Sequence, residues 1–575
     1  MAKKAAVEEK GITPEELSKE FKEYSVAEFF KRNRQMLGYT GKVRSLTTVV
    51  HEYVTNSLDA CEDARVLPDL LVEITELPDG HFKVAAEDNG TGIPKPNIGQ
   101  ALGQLLSGTK FMQRQQKRGQ QGIGASYCTL FSQITTGKET HVKTSVGDYK
   151  VYECDVSIDI NKNIPAIRNE KEYSGKFKGT RIETELAEVE YNRSAFGVYE
   201  YLRRTAIANP HAQITLVEPN KEITVFPRAT KEIPKMPKKV LPHPLGITTS
   251  DLVDMAGVTD GRKIGSFLEK EFSRVSSERV AEIQSLMPKD PKTGKPMCDF
   301  DRSPKSLQWA EAEKIVGAIQ KIKWIAPESD SLQPIGAKEL EKSLKNLLAP
   351  EELRVIERPP KVFRGGISFM VEAAVAYGGK AGAAANQQNG SGNAGGAAGG
   401  ETRGEAMRFA NRVPLLFDAG ACAIAEAVKT VDWARYDLKD WENLPVSIFV
   451  NFTSVYVPYT GAGKLAISAE EEIVTEIRQA LMEAARGVAI YLREMRRAEE
   501  QEHRRSLFFR YINEVAQCLH DVTGTEKTVL AAKLKKLAEE NTSLLEAQEA
   551  DEEEGLEELE KAAEKELKGE RGEDE

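Results

Sequence analysis

Between Leu46 and Asp63 the sequence sets an acid and an amide four residues apart, Glu52 and Asn56, and continues the series with Asp59 and Asp63. Leu46, Val49, Val50, Tyr53, Val54 and Leu58 recur through the same stretch at three- and four-residue steps, which predicts a helix with one buried face and the polar series on another. An amide one turn from a carboxylate suits a metal–nucleotide site: the amide oxygen binds a hard cation while the carboxylate orients or deprotonates a water. A solvated polar stripe on a surface helix would read the same way, so the pair needs company.

Company follows downstream. Strands near Leu70–Glu76 and His81–Glu87, around the turn at Pro78, Asp79 and Gly80, predict a hairpin whose second strand runs into EDNGTGIP. Asp88 at that strand end can accept a hydrogen bond from an exocyclic amine such as that of adenine, and Gly90 and Gly92 let main chain approach a planar base; a simple turn would also fit DNGTG. In LLSGTKFMQRQQKRGQQGIGASYC, Gly119, Gly122 and Gly124 precede a helical run from Ala125, so free amides at a helix start can face phosphates. Thr109 and Lys110 fit a mobile cover over the nucleotide, with Lys110 as its cation. In FKGTRIE, Gly179 and Thr180 enter a strand.

These motifs all fall in residues 1–230. A Pro- and Lys-rich linker from Lys231 to Gly246 follows, then helical, polar text from Thr248 to about Leu307. Strand-like runs come next, GGISFMVEAAVAYGG and PVSIFVNFTSVYVPY, separated by a Gly/Ala/Asn stretch at 380–405 that has little to bury and reads as a flexible loop. Long helical patterns run from Ala469 to about Leu545. A length of 575 residues implies three to five domains at roughly 100 to 200 residues each. The net charge of −10 belongs to the tail, where residues 546–575 hold 15 acidic against 4 basic side chains, leaving about +1 for the rest; the acidic balance therefore does not argue against a nucleic-acid partner. Six scattered cysteines without a CxxC pair read as reduced thiols. No apolar run approaches a membrane span and the first residues lack a signal-peptide core, which predicts a cytoplasmic protein.

The ordered set HExxxNSxDA, DNGxGI, GQQGIG and GTRIE resembles the GHKL (Bergerat) ATPase superfamily, and no GxxxxGK[ST] loop is present. Nearly the whole chain up to about residue 520 is similar to the B subunits of archaeal-type type IIB topoisomerases. The stretches SVAEFFKRNRQMLGY, SGTKFMQRQ, RPPKVFRGGISFMVEAAVAYGG, MRFANRVPLLFDAGACAIAEAV and VYVPYTGAGKLAIS carry the likeness. The resemblance implies a multidomain α/β protein. Its parts are an ATPase α/β sandwich with an N-terminal strap (1–230), a linker and helix-two-turn-helix domain (231–307), an α/β transducer (308–485), C-terminal helices (486–545) and an acidic tail (546–575).

It also implies ATP and Mg2+ as cofactors. Glu52 is then the general base, Asn56 the metal ligand and Asp88 the adenine acceptor, with Gly90, Gly92, Thr109, Lys110 and Thr180 around the nucleotide. Gly119, Gln120, Gln121, Gly122, Ile123, Gly124 and Ala125 cradle the phosphates, and Lys464 in YTGAGK reaches the γ-phosphate. Implied partners are a cleaving A subunit in an A2B2 heterotetramer, a second copy on ATP binding, and double-stranded DNA. The family's WKxY segment, which contacts DNA, is matched by WARY, so Ala434 replaces the lysine while Trp433, Arg435 and Tyr436 remain. Alternative readings are a nucleotide-gated DNA clamp without a cleavage partner and a mismatch-repair or chaperone ATPase; the helical and transducer text discriminates against the latter. A histidine kinase would need a phosphoacceptor histidine upstream, and none precedes His51.

Overall fold

The computed structural model describes residues 25–107, 116, 118–119, 122–289, 297–327, 330–382, 403–461 and 463–537, without the side chains of Phe30 and Phe508. The expected strap before Ser25, most of the 380–405 insert and the acidic tail lie outside these residues. Two compact units divide the chain, Met1–Val488 and Ala489–Glu575.

Alternating apolar residues build the first sheet. β1 (Asp69–Glu76) buries Leu70, Val72 and Ile74 and returns through Gly80, in the left-handed region at φ +78°, into β2 (Phe82–Glu87). With β3 (Thr140–Ser145), β4 (Lys150–Asp159), β5 (Ile164–Ser174), β6 (Gly179–Leu186), β7 (Gln213–Val217) and β8 (Ile223–Phe226), the order is β5-β4-β3-β6-β2-β1-β7-β8. All neighbours are antiparallel except β1 and β7, where Leu71 lies opposite Thr215. Of the helices in this part of the chain, α1 (Val26–Arg32), α2 (Lys42–Asp63), α3 (Ile98–Gly103), α4 (Gly124–Thr136) and α5 (Val198–Ala208), α2 is the longest. Its apolar series Leu46, Val50, Tyr53, Val54 and Leu58 shares one core with Val72, Val84, Phe131 and Leu202. The Tyr53 hydroxyl meets Thr184 Oγ1 at 2.5 Å, which fixes α2 against β6.

A separate helical core gathers α6 (Thr249–Val258), opened by a capping box between Thr248 and Asp251, with α7 (Ile264–Glu271), α8 (Ser277–Leu286) and α9 (Trp309–Ile319). Ala312, Ile315 and Ile319 pack with Leu252, Phe267 and Ile283, so the expected boundary after Leu307 runs through this core. The polar composition of 248–307 conceals it, because the apolar residues that complete the cluster come later.

The second sheet follows α10 (Ala337–Leu348). Strands β9 (Glu352–Glu357), β10 (Lys361–Phe363), β11 (Ile367–Tyr377), β12 (Glu405–Ala410), β13 (Val413–Pro414) and β14 (Val446–Ser454) run β10-β11-β14-β12-β13, with β9 also on β11. β11 and β14 are buried along almost their whole length, as central strands with both faces covered must be. β12 and β14 are parallel, so their connection is a crossover and contains α11 (Ala423–Thr430). Phe409 and Phe449 stack at 4.5 Å beneath Leu340 and Leu344 of α10, and the same cluster includes Ile207 and Ala208 of α5. The helix α12 (Glu471–Thr523) begins with Ile473, Ile477, Leu481 and Ala484 fully buried. In the second unit, Leu507, Tyr511, Ile512 and Val515 line an apolar groove with Leu534. All six cysteines are free thiols. Among the described residues no helix is long and apolar enough to cross a membrane.

One charged residue interrupts β11. Glu372 is fully buried and accepts from the main-chain N–H groups of Ile335 at 3.0 Å and Gly336 at 2.7 Å and from Asn451 Nδ2 at 2.7 Å. It thereby ties the start of α10 to the centre of the sheet, and burial pushes its carboxyl above the usual range. Glu372→Ala strands three buried donors, so a loss of about 3 kcal/mol or more is expected, with Glu372→Gln losing less than half of that because its amide oxygen still accepts. Denaturant unfolding of the three proteins checks this ranking; equal losses would show that the side chain's volume, not its acceptors, holds the junction.

Candidate active site

The polar face of α2 opens onto one cleft. Glu52 and Asn56 line it together with Asp88, Gly92, Gly119, Gly122, Ile123, Gly124, Ala125, Thr180 and Lys464. An apolar side made by Tyr39, Ile93, Leu102, Tyr127 and Ile182 completes it. Residues expected at the site from five separate stretches are thus brought together. Thr109, Lys110, Gln120 and Gln121 lie outside the described residues.

Asp88 directly follows β2 and is held from three sides. Oδ1 accepts from Gly90 N at 2.9 Å and Thr180 N at 3.3 Å, and Oδ2 from Ser57 Oγ at 2.9 Å. Burial pushes this carboxyl up, opposed by those three donors. The carboxylate is therefore oriented before any ligand arrives, with acceptor capacity left on its oxygens. Ser57 is not among the residues that the sequence pattern singles out. Its signal is its place between Asn56 and Leu58, which turns its hydroxyl toward the buried side of the polar face.

The two DNGTG glycines differ in their surroundings. Gly90 does not line the cleft; a Cβ there would meet the main chain of Ala60 at 2.9 Å, so its small size lets the strand end pack on α2. Gly92, at φ +69°, does line the cleft, and a Cβ would run into the end of β3, 3.1 Å from Val146 N. Close packing of main chain on main chain requires a glycine at both positions.

At the opposite end of the cleft α4 starts at Gly124, its first-turn N–H groups lacking acceptors within the helix. A Cβ on Gly124 would occupy the place of the Glu52 carboxylate. The missing side chain seats the acid directly against the helix start. His51 Nε2 lies 4.0 Å from Glu52 Oε1; burial holds His51 below its ordinary value, with Glu52 drawing it up and Lys464 pushing it down. Lys464 stands at φ +52° in a tight loop closed by Tyr459 opposite Ile467 and by Thr460 N on Ala466 O at 3.0 Å.

The segment 411–418 after β12 follows α2 along its length. Arg412 meets Glu62 at 2.9 Å near one end, Leu415 and Leu416 lie by Thr48 and His51, and Asp418 meets Arg44 at 3.1 Å near the other. Arg44 also covers the Phe417 ring at 4.5 Å. Glu62 is a second residue that the sequence pattern leaves unmarked. Its partners Arg118 and Arg412 are distant in the chain, and nothing in the local pattern announces them.

The WARY segment departs from expectation. Trp433 and Tyr436 are buried, and Trp433 Nε1 donates to Val428 O at 2.8 Å while its ring lies 6.0 Å from that of Trp441. Only Ala434 and Arg435 face solvent, because the short helical turn at 433–436 points its two aromatic rings inward. Trp433 and Tyr436 are packing residues, and of the three expected DNA contacts Arg435 alone is presented.

Residues 41–186 match the family described as histidine kinase-, DNA gyrase B- and HSP90-like ATPases, and residues 327–504 match the transducer of the topoisomerase VI B subunit. The chain is 43% identical over 548 residues to the B subunit of type 2 DNA topoisomerase 6 from Pyrococcus furiosus, covering 88% of this chain and 93% of that one. It is 42% identical over 577 residues to the protein of the same name from Pyrococcus horikoshii, covering 94% and 99%. A similar protein of that name from Methanothermobacter thermautotrophicus is 44% identical over 495 residues, covering 86% and 90%.

Gly124→Ala separates folding from site geometry. The substitution favours the helix slightly and displaces only the end of a flexible side chain, so the thermal midpoint should stay within about 2 °C of the parent. ATP turnover should fall at least ~10-fold because the Glu52 carboxylate loses its seat. Calorimetry and an ATPase assay check both; unaltered turnover would mean that Glu52 acts from another position.

Proposed function

The chain belongs to the family of type 2 DNA topoisomerase 6 B subunits, and on that premise we propose how its cleft carries out the ATP-dependent work of a type IIB topoisomerase. The observation that carries the reading is the convergence of Glu52, Asn56, Asp88, Gly119, the stretch Gly122 to Ala125 and Lys464 on one cleft. Asp88, oriented by Ser57, Gly90 and Thr180, accepts the adenine amine. The main-chain amides at the start of α4 receive the phosphates, whose negative charge the helix N-terminus favours. Glu52, seated against Gly124, takes the proton from the attacking water. Asn56 offers one amide oxygen one helical turn away, a donor fitting a hard cation that keeps most of its ligands from phosphates and water. That Mg2+, when bound, would supply charge neutralisation at the phosphates.

Lys464 brings a cation from the second-sheet region to the γ-phosphate, so cleavage of that phosphate removes a contact between distant parts of the chain. ATP then favours pairing of two copies around a duplex, and hydrolysis releases the pairing, while an A subunit in an A2B2 assembly cuts the second duplex. In this reading residues 1–230 are the ATPase domain, the linker and helical module extend from 231 through the end of the helical core, and the transducer follows up to about 485, with C-terminal helices and tail beyond. The site of action is the cytoplasm, on the nucleoid. Solvent-facing Arg435 is the WARY residue available to a DNA phosphate.

Two substitutions test the assignment. Glu52→Gln should retain ATP binding and lose at least about two orders of magnitude in hydrolysis, measured by equilibrium binding and steady-state turnover; turnover within about threefold of the parent would remove Glu52 as the base. Lys464→Ala should weaken a non-hydrolysable ATP analogue and the pairing it drives, with ADP affinity unaltered, since the lost cation meets only the γ-phosphate. Equal losses for both nucleotides would assign the lysine to the fold instead.

A further inference from the structure

Gln116 and Arg118, just before the cleft residue Gly119, reach across to the stretch that precedes α10 and to the segment after β12. Gln116 is buried, and its Nε2 donates to Gln333 O at 2.9 Å while its Oε1 accepts from Gln333 N, so one side chain pairs with both main-chain groups of a residue just before α10. Arg118, adjacent to Gly119, is also buried. Its guanidinium donates to Asp59 Oδ1 at 2.9 Å, Glu62 Oε1 at 2.6 Å and Asn209 Oδ1 at 2.6 Å. Arg412 grips the same Glu62 through both terminal nitrogens, at 3.1 and 2.9 Å, and reaches Gln333 Oε1 at 3.2 Å.

The links close into a ring. Arg412 N donates to Asn451 Oδ1 at 3.0 Å, Asn451 Nδ2 donates to Glu372 at 2.7 Å, and Glu372 holds Ile335 and Gly336, two and three residues beyond Gln333. Two guanidinium groups face the carboxylates of Asp59 and Glu62, and a third carboxylate, that of Glu372, is held by neutral donors. An apolar set of the same volume would often be as stable as such buried pairs, so stability alone does not account for them. What the ring does geometrically is bind Gln116 and Arg118 to the central strands β11 and β14 of the second sheet.

We propose that Gln116 and Arg118 are positioning residues that couple the phosphate loop to the second sheet, giving the nucleotide a route to the transducer separate from Lys464. The inference rests on the ATP reading of the cleft. Lys464 reads the γ-phosphate directly. Gln116 and Arg118 read the placement of Gly119 and the start of α4, and through Gln333 and Arg412 any displacement there is shared by β11 and β14. The coupling is reciprocal: an arrangement of the second sheet imposed by DNA or by the A subunit alters the loop's affinity for nucleotide by the same factor.

The test uses the complex of this chain with its A subunit, comparing parent, Gln116→Ala, Arg412→Gln and Arg412→Lys. ATP KM, maximal ATP turnover, duplex passages per ATP hydrolysed and thermal midpoint are measured for each. Gln116→Ala and Arg412→Gln should leave KM and turnover within about threefold of the parent, since neither residue lines the cleft, while passages per ATP fall at least ~5-fold; Arg412→Lys should recover part of that ratio. Passages per ATP equal to the parent's in Gln116→Ala, or a proportional fall of turnover and passage together, would overturn the proposal and leave the ring a structural feature. If Arg412→Gln does not fold, Gln116→Ala decides alone, because it removes two hydrogen bonds without unpairing a buried charge. A parent complex that hydrolyses no ATP would instead overturn the reading of the cleft, and this proposal with it.

Discussion

Two buried guanidinium groups, those of Arg118 and Arg412, converge on the carboxylate of Glu62, and much of the molecule is arranged around that meeting. Glu62 lies in the last turn of the helix that carries Glu52 and Asn56, Arg118 adjoins Gly119 of the cleft, and Arg412 belongs to the segment after β12. Burial alone would raise the Glu62 carboxyl, but the two arginines outweigh it and hold it well below the usual range. A carboxyl depressed in the folded state lends stability that is complete above its unfolded value, roughly 4, and is lost as pH falls through the folded value. The junction therefore keeps its charge across the neutral range, and loss of Glu62 leaves Arg412 buried without its carboxylate partner while Arg118 retains Asp59.

From that anchor α2 extends about 27 Å back to Arg44, where Asp418 and Phe417 hold its other end. The helix is thus gripped by the first sheet along its apolar face and by the 411–418 segment along another. Its remaining face opens onto the cleft. A helix fixed this way presents Glu52 with little freedom, and the absent side chain of Gly124 sets how near the acid sits to the phosphate end. Preorganisation of this kind is what general-base chemistry on a bound phosphate needs, since the water and the base must be aligned before the barrier is crossed.

Much of this is legible in the residues. The three- and four-residue apolar period locates α2, the alternation around Pro78–Gly80 locates the first hairpin, and the long apolar runs locate β11 and β14, because each is a local pattern tied to one buried face. Glu52, Asn56 and Asp88 are legible for the same reason. What escapes depends on pairs far apart in the chain. Arg118 and Arg412 are ordinary charges in the sequence until Glu62 brings them together; Trp433 and Tyr436 have the pattern of exposed aromatics in a contact motif until the short turn at 433–436 folds them inward. Gly90 is instructive in another way: a glycine beside a functional acid suggests room for a ligand, whereas the close approach it permits is that of Ala60.

The central claim is that one cleft, assembled from α2, the end of β2, the start of α4 and the Lys464 loop, binds ATP with each group in the role given to it. Its most direct test is an experimental structure of the chain with a non-hydrolysable ATP analogue and Mg2+. The account predicts the adenine amine on the Asp88 carboxylate, the phosphates on the amides from Gly119 to Ala125, and Lys464 Nζ within hydrogen-bond distance of the γ-phosphate. A nucleotide bound elsewhere, or one in this cleft whose γ-phosphate is out of reach of both Glu52 and Lys464, would contradict it.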